Sequence, residues 1–282
     1  MDAVEGAFDR ELGKEVPERG LRNFSTVMPW IRQRFPTHES FAQASLSEIF
    51  QDRLKSARRL EAATLESMVF MNRGGRFEAR ALPREAQWAP AFAVVAGDCD
   101  GDGLEDLFVS QNFFAAQPMT SRSDAGRGLW LRGDGKGGFI PMPGQISGVT
   151  VYGEQRGAAV ADYDGDGRLD LAVTQNGADT HLYRNQGAKR GMRVRLRAGA
   201  DNPSGVGAAV RMVFGEMQGP VKEVRCGAGY WSQDSAVLVF GMPREASAVW
   251  VRWPGGAEAT YAAPPGALDI RISIDGRVEK MP

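Results

Sequence analysis

The sequence predicts a mainly β fold: partial β-propeller blades followed by a small antiparallel β domain, with a short helical N-terminal segment. Three observations carry this reading. Glycine is abundant, 35 of 282 residues, and punctuates short apolar runs as turns do. An "apolar strand, Asn/Gly-rich turn, apolar strand" pattern recurs near residues 66, 129 and 181, with Asp-rich loops in between. A repeat of about 60 residues with about four strands per unit is the signature of propeller blades. Beyond residue 190, apolar and polar residues alternate and break at Gly, Pro and Asp, as in an antiparallel sheet with one buried face.

Taken in order, residues 1–56 read as helical. Leu21, Phe24, Val27, Met28, Trp30, Ile31 and Phe35 fall at helical spacing, with Pro29 as a kink or break between two short helices. Ser45 or Ser47 ahead of Glu48 predicts a capping box opening a second helical stretch through "SLSEIFQDRLKSA". Packing on a neighbouring sheet explains these apolar stripes more economically than a partner-binding arm.

Residues 57–190 read as blades. "LESMVFMNRGGRFEARALP" and "GLWLRGDGKGGFIPMP" are strand–turn–strand, and "HLYRNQGAKRGMRVRL" is a looser third version. Residues 191–282 read as the separate β domain, with strands in "MRVRLRAG", "GAAVRMVFGE", "VKEVRCGAG", "SAVLVFG", "SAVWVRWPGG" and "LDIRISIDG".

Composition excludes several function classes. With 34 basic and 35 acidic residues the net charge is −1, so no global field steers the chain toward nucleic acid or an anionic membrane. No apolar run approaches the length of a transmembrane segment, and the charged start lacks the apolar core of a leader. Cys99 and Cys226 stand far apart and are expected as free thiols; His38 and His181 have no partner at metal-ligand spacing.

The charge is concentrated in two loops, "GDCDGDGLEDL" from Gly97 and "ADYDGDGRLDL" from Ala161. Counted from the first aspartate, carboxylates occupy positions 1, 3, 5 and 9: Asp98, Asp100, Asp102 and Asp106, then Asp162, Asp164, Asp166 and Asp170. Position 6 is Gly103 or Gly167, and position 7 offers a backbone carbonyl from Leu104 or Arg168. Alternate residues of a tight loop can face one centre while glycine supplies the left-handed turn. A cage of hard oxygens without sulfur or imidazole predicts Ca²⁺, with Mg²⁺ second because it demands stricter geometry. An EF-hand is excluded: its twelfth position needs a bidentate Glu, whereas Val109 and Val173 stand there, and strands rather than helices flank both loops.

These loops resemble the calcium loops of FG-GAP/VCBS repeats, the blades of integrin-type propellers. The C-terminal stretch resembles the ASPIC/UnbV domain through Gly205, Gly207-Ala208, Glu223, Gly227, Gly229-Tyr230, Ser232-Gln233, Phe240-Gly241, Trp253-Pro254 and Gly256. The resemblance spans about residues 58–262. It implies an integrin-like propeller, yet residues 57–190 supply two full units and part of a third, fewer than a closed ring needs. The remaining blades are therefore expected from the same longer chain or from another chain, with an open stack of blades as the further alternative.

In function, the sequence points to a calcium-stabilised extracytoplasmic protein, extracellular or periplasmic, for adhesion or for binding a protein or carbohydrate ligand. No catalytic residues are nominated. Glu223 has no acid, His or Cys at a suggestive spacing, and Tyr230, Trp231 and Trp253 are expected as packing or sheet-edge cover. The alternative is part of a calcium-organised propeller enzyme with its active site on the loop face, since a propeller scaffold does not decide between the two.

Overall fold

The computed structural model describes residues 3–114, 121–227 and 229–282. The chain divides into two compact units, Met1–Leu65 and Glu66–Pro282.

The first unit opens with an antiparallel hairpin, β1 (Gly6–Asp9) and β2 (Lys14–Pro17). Four short helices follow: α1 (Leu21–Val27), α2 (Trp30–Arg34), α3 (His38–Ala42) and α4 (Leu46–Phe50). Pro29 breaks rather than kinks the first helical stretch, because α1 ends before it and α2 begins after it. Ser45 forms the expected capping box with Glu48. The Ser45 backbone and side chain, with Lys14, hold the Glu48 carboxyl down at about 2. The stretch after Ser45 is shorter than its sequence suggests. It leaves α geometry at Gln51, whose φ is +48°, and continues as a 3₁₀ turn. Leu21, Phe24, Ile31, Phe41, Ile49 and Phe50 form this unit's own apolar cluster, so the helical stripe packs within the unit.

The second unit is all β apart from short turns. A two-stranded hairpin, β3 (Met68–Asn72) and β4 (Phe77–Ala81), comes first. Next is a four-stranded antiparallel sheet of β5 (Ala91–Gly97), β6 (Asp106–Gln111), β7 (Leu129–Gly133) and β8 (Phe139–Met142), in sequential order. A three-stranded sheet follows, built from β9 (Gln155–Ala161), β10 (Asp170–Gln175) and β11 (Ala178–Tyr183). These small antiparallel sheets are blade-like, as the repeat predicts, and each Asp-rich loop joins the first two strands of its sheet. Ala93, Val95 and Phe108 of one sheet pack with Ala158, Val160 and Val173 of the next.

The last third forms a second β layer pair. Its strands are β12 (Met192–Arg197), β13 (Ala209–Phe214), β14 (Met217–Glu223), β15 (Leu238–Phe240), β16 (Ala248–Arg252), β17 (Glu258–Ala262), β18 (Asp269–Ser273) and β19 (Val278–Lys280). They make two four-stranded sheets, ordered β15-β12-β18-β19 and β14-β13-β16-β17. Val194, Leu196, Ile270 and Ile272 of one sheet share a buried cluster with Val210, Met212, Val249 and Val251 of the other. The alternation seen in the sequence is this inward and outward pattern.

Two expectations are corrected. The third hairpin, over residues 181–196, does not form: β11 pairs with β10, whereas β12 pairs with β15 and β18 in another sheet. The reason lies in residues 184–191, which pass from the last blade-like sheet into the C-terminal pair. Asn185 is fixed there by the Asp170 carboxylate and by the carbonyls of Cys99 and Leu169. Gly191 lies so close to Phe240 that an added Cβ would come within 2.4 Å of its carbonyl oxygen. The C-terminal domain is also not wholly antiparallel, because β12 and β18 run parallel.

Ile270 is fully buried in the middle of its sheet, and its truncation leaves a cavity between the two layers. Ile270→Ala should therefore destabilise the second unit by about 2–5 kcal/mol, read as a lowered midpoint in urea denaturation with an unchanged slope.

Candidate metal centre

Each Asp-rich loop is built the same way. A strand delivers the first aspartate, glycines turn the chain back, and the ninth-position aspartate is the first residue of the returning strand. Left-handed backbone at Gly101 (φ +77°) and Gly103 (φ +91°), repeated at Gly165 and Gly167, makes the turn.

The turn brings three carboxylates of each loop together. One oxygen from each of Asp98, Asp100 and Asp102 lies within 4.8 Å of the others, and the same holds for Asp162, Asp164 and Asp166. Among the described residues these are the two groups of potential metal ligands. The donor set is hard oxygen throughout, which fits a divalent cation such as Ca²⁺. Leu104 and Arg168 are tied into their loops through their N–H groups, which donate to Asp102 Oδ1 at 2.8 Å and to Asp166 Oδ1 at 3.0 Å.

The structure does not draw Asp106 and Asp170 into these triads. Both are buried and pinned by backbone donors instead. Asp106 accepts from Cys99 and from Gly133, each at 2.9 Å. Asp170 accepts from Tyr163 at 3.1 Å and from Asn185 at 2.7 Å. The ninth aspartate thus ties its loop to the next strand, and the local sequence gives no sign of this because the partners lie up to 27 residues away.

Burial makes these charges costly. It pushes Asp106 up to about 6, against the lowering effect of its two backbone donors, with Asp100 and Asp98 adding repulsion. Asp98 is also raised, by burial first, although Gly101 and Gly103 donate to it. Asp100 is raised by burial and then by Asp102, and Asp170 by burial and then by Asp164 and Asp166. A cation among these groups would favour their ionised forms.

Both loops lie against the C-terminal strands. An added Cβ at Gly241 would come within 1.7 Å of Asp98 Oδ2, and the Gly103 position abuts Pro243. Lys222 of β14 pairs with Glu105 at 3.0 Å and donates to the Val239 carbonyl. In the second loop, Gly191 donates to Gly167 O at 2.7 Å, and Arg190 to Asp166 O at 2.7 Å. Arg193 of β12 reaches Asp162 at 3.0 Å and Asp269 of β18 at 3.2 Å. Val239 of β15 belongs to the apolar cluster of the blade-like sheets, so the seam is apolar as well as ionic.

Other sequence candidates separate. Cys99 and Cys226 are both free thiols, and burial raises the Cys99 pKa. Glu223 ends β14, exposed and paired with Arg225 at 3.4 Å. Trp253 is packed as expected, donating to the Tyr261 hydroxyl. Trp231, by contrast, is 90% exposed with a left-handed φ of +51°, and Tyr230 is 40% exposed. The edge of β9 is covered by their neighbours: Asp234 accepts from Val160 N–H and Ser235 donates to Val160 O.

The comparisons agree with this layout. Residues 198–277 match the ASPIC and UnbV family, and residues 113–173 match the FG-GAP-like repeat. The chain joins FG-GAP-like repeat sequence to an ASPIC/UnbV domain. It is 29% identical to mouse cartilage acidic protein 1 over 191 residues, 64% of this chain and 28% of that protein. It is 26% identical to the human protein of the same name over 209 residues, 71% of this chain and 30% of that protein. The matched region thus covers less than a third of these curated relatives. No helix among the described residues is long and apolar enough to cross a membrane.

Because Gly241 leaves no room for a side chain beside Asp98, Gly241→Ala should displace the first loop. The expected result is a lower melting temperature, read by differential scanning calorimetry. A control such as Gly199→Ala, where no atom lies within 4 Å of an added Cβ and the backbone is not left-handed, should leave the melting temperature nearly unchanged.

Proposed function

We propose that this chain is part of a calcium-stabilised extracytoplasmic β-propeller protein that binds a protein or carbohydrate partner and carries no catalysis of its own. The observation that carries the reading is the placement of two carboxylate triads at the seam between the blade-like sheets and the ASPIC/UnbV strands. An ion there fixes one β region against the other, which is a scaffold role. In each loop the first, third and fifth aspartates supply carboxylate oxygens. The carbonyl of Leu104 or Arg168 and the strand-opening Asp106 or Asp170 complete the ligand set.

An extracytoplasmic setting suits such sites, because millimolar calcium fills loops of modest affinity. The similarity to cartilage acidic protein 1 supports the same placement. The β3–β4 hairpin supports completion of the propeller by further strands from the same longer chain or another one. Its counterpart β7–β8 has β6 paired alongside β7, whereas among the described residues β3 pairs with β4 alone.

Calcium should raise the melting temperature of the chain. At a free concentration about a hundredfold above Kd, each filled site adds roughly 2.7 kcal/mol. Asp100→Ala combined with Asp164→Ala should abolish the rise while leaving the circular dichroism spectrum β-rich. An unchanged melting temperature together with no binding heat at millimolar calcium would sink the proposal.

A further inference from the structure

The two loops share their aspartate spacing but differ in what surrounds it. The first, residues 97–107, holds five acids and no base, a formal charge of −5. The second, residues 161–171, holds four acids and Arg168, a formal charge of −3. Position 7 accounts for one unit of the difference, Leu104 against Arg168, and position 8 for the other, Glu105 against Leu169.

The surroundings widen the gap. Arg168 pairs with Asp166 at 2.8 Å within the second loop. Arg184 reaches Asp164 at 2.5 Å and Asp166 at 3.6 Å. Arg193 takes Asp162 at 3.0 Å, where the Asp162 side chain is almost fully buried. Every member of the second triad therefore has a guanidinium partner. Among the described residues no ion pair reaches Asp98, Asp100 or Asp102. Lys222, whose charge favours the ionised form of Asp98, is itself paired with Glu105. The first triad is held by backbone N–H groups, Gly101, Asp102 and Gly103 onto Asp98, Asp102 onto Asp100 and Leu104 onto Asp102, while Lys222, Arg132 and Lys189 act on it only from beyond ion-pair distance.

We infer that the second loop carries its own tethered counter-cations, Arg168, Arg184 and Arg193, and is the weaker calcium site. The first loop is the tighter, calcium-dependent one. The inference rests on the calcium reading above and refines it. A divalent ion entering the second triad must displace or tolerate guanidinium groups already on the same oxygens. At the first triad it meets carboxylates that no described side chain engages in an ion pair. The arginines are not interchangeable. Arg193 also holds Asp269 of β18, so it keeps the second loop docked without an ion. Arg184 is half-exposed and pairs only within the loop, so it is the one to remove.

The test is a calcium titration of the full chain by isothermal calorimetry, with Asp100→Asn, Asp164→Asn and Arg184→Gln alongside. The unaltered chain should show two unequal sites, about tenfold or more apart, the scale expected for removing one or two nearby like charges. Asp100→Asn should remove the tighter site and Asp164→Asn the weaker. Arg184→Gln should strengthen the weaker site by about three- to tenfold and leave the tighter one unchanged. If Asp100→Asn fails to fold, terbium reads the second loop in the unaltered chain. Tyr163 lies between Asp162 and Asp164 and can sensitise terbium emission, with Tyr163→Phe as the control. That emission should rise only after the first equivalent has bound. Equal affinities, a second loop that fills first, or an indifferent Arg184→Gln each overturns the inference while leaving calcium stabilisation standing. Absence of any calcium binding overturns both.

Discussion

The structure depends on how it disposes of carboxylate charge at the seam between its two β regions. Asp98, Asp106 and Asp170 are nearly or fully buried, and each sits within a few residues of further aspartates. A buried carboxylate is tolerable only when hydrogen bonds or counter-charge replace lost water. Glycine makes the first remedy available. With left-handed turns at positions 4 and 6, the loop curls its own N–H groups onto the first aspartate. The ninth aspartate is met by donors from outside the turn. The loops are therefore not solvated acidic tips but folded units whose polarity is largely satisfied before any ion is considered.

That arrangement explains why the loops sit where they do. A loop satisfied only internally could face solvent. These contact the C-terminal strands through Gly241, Pro243, Gly191, Arg190 and Arg193, with Val239 entering the blade-like core. Charge and apolar packing meet along one line. Shifting either loop disturbs contacts in both β regions, which makes the two regions energetically coupled although each has its own apolar cluster.

Much of this was legible in the sequence, for identifiable reasons. Position-specific repetition of Asp and Gly survives at the level of letters, so the loops, the strands around them and the convergence of positions 1, 3 and 5 could be read directly. Alternation in the last third gave most of its strands. What was not legible is long-range. Nothing local in "HLYRNQGAKRGMRVRL" says that its two strands belong to different sheets, because each half is a sound strand and the turn between is rich in Gly and Asn. The parallel β12–β18 pair joins segments more than seventy residues apart. The exposure of Trp231 escaped for a related reason: an aromatic residue at a turn is read as packing unless its left-handed backbone is known.

The ninth aspartate shows where spacing alone stops. Its recurrence in both loops marks it as part of the motif, and a ligand role follows if every acid in the motif is assigned to the ion. In the structure both of its oxygens already accept backbone N–H groups, one from its own loop and one from a more distant segment. A carboxylate oxygen has a second lone pair, so these bonds do not forbid coordination, but they assign the residue a task that persists without an ion. Asp106 and Asp170 fix where the returning strand begins, and so set the span that the first, third and fifth carboxylates must bridge. One motif thus combines two functions: an outer arc that gathers charge and an inner anchor that holds the arc to the sheet. An ion can strengthen the first function, while the second belongs to the polypeptide.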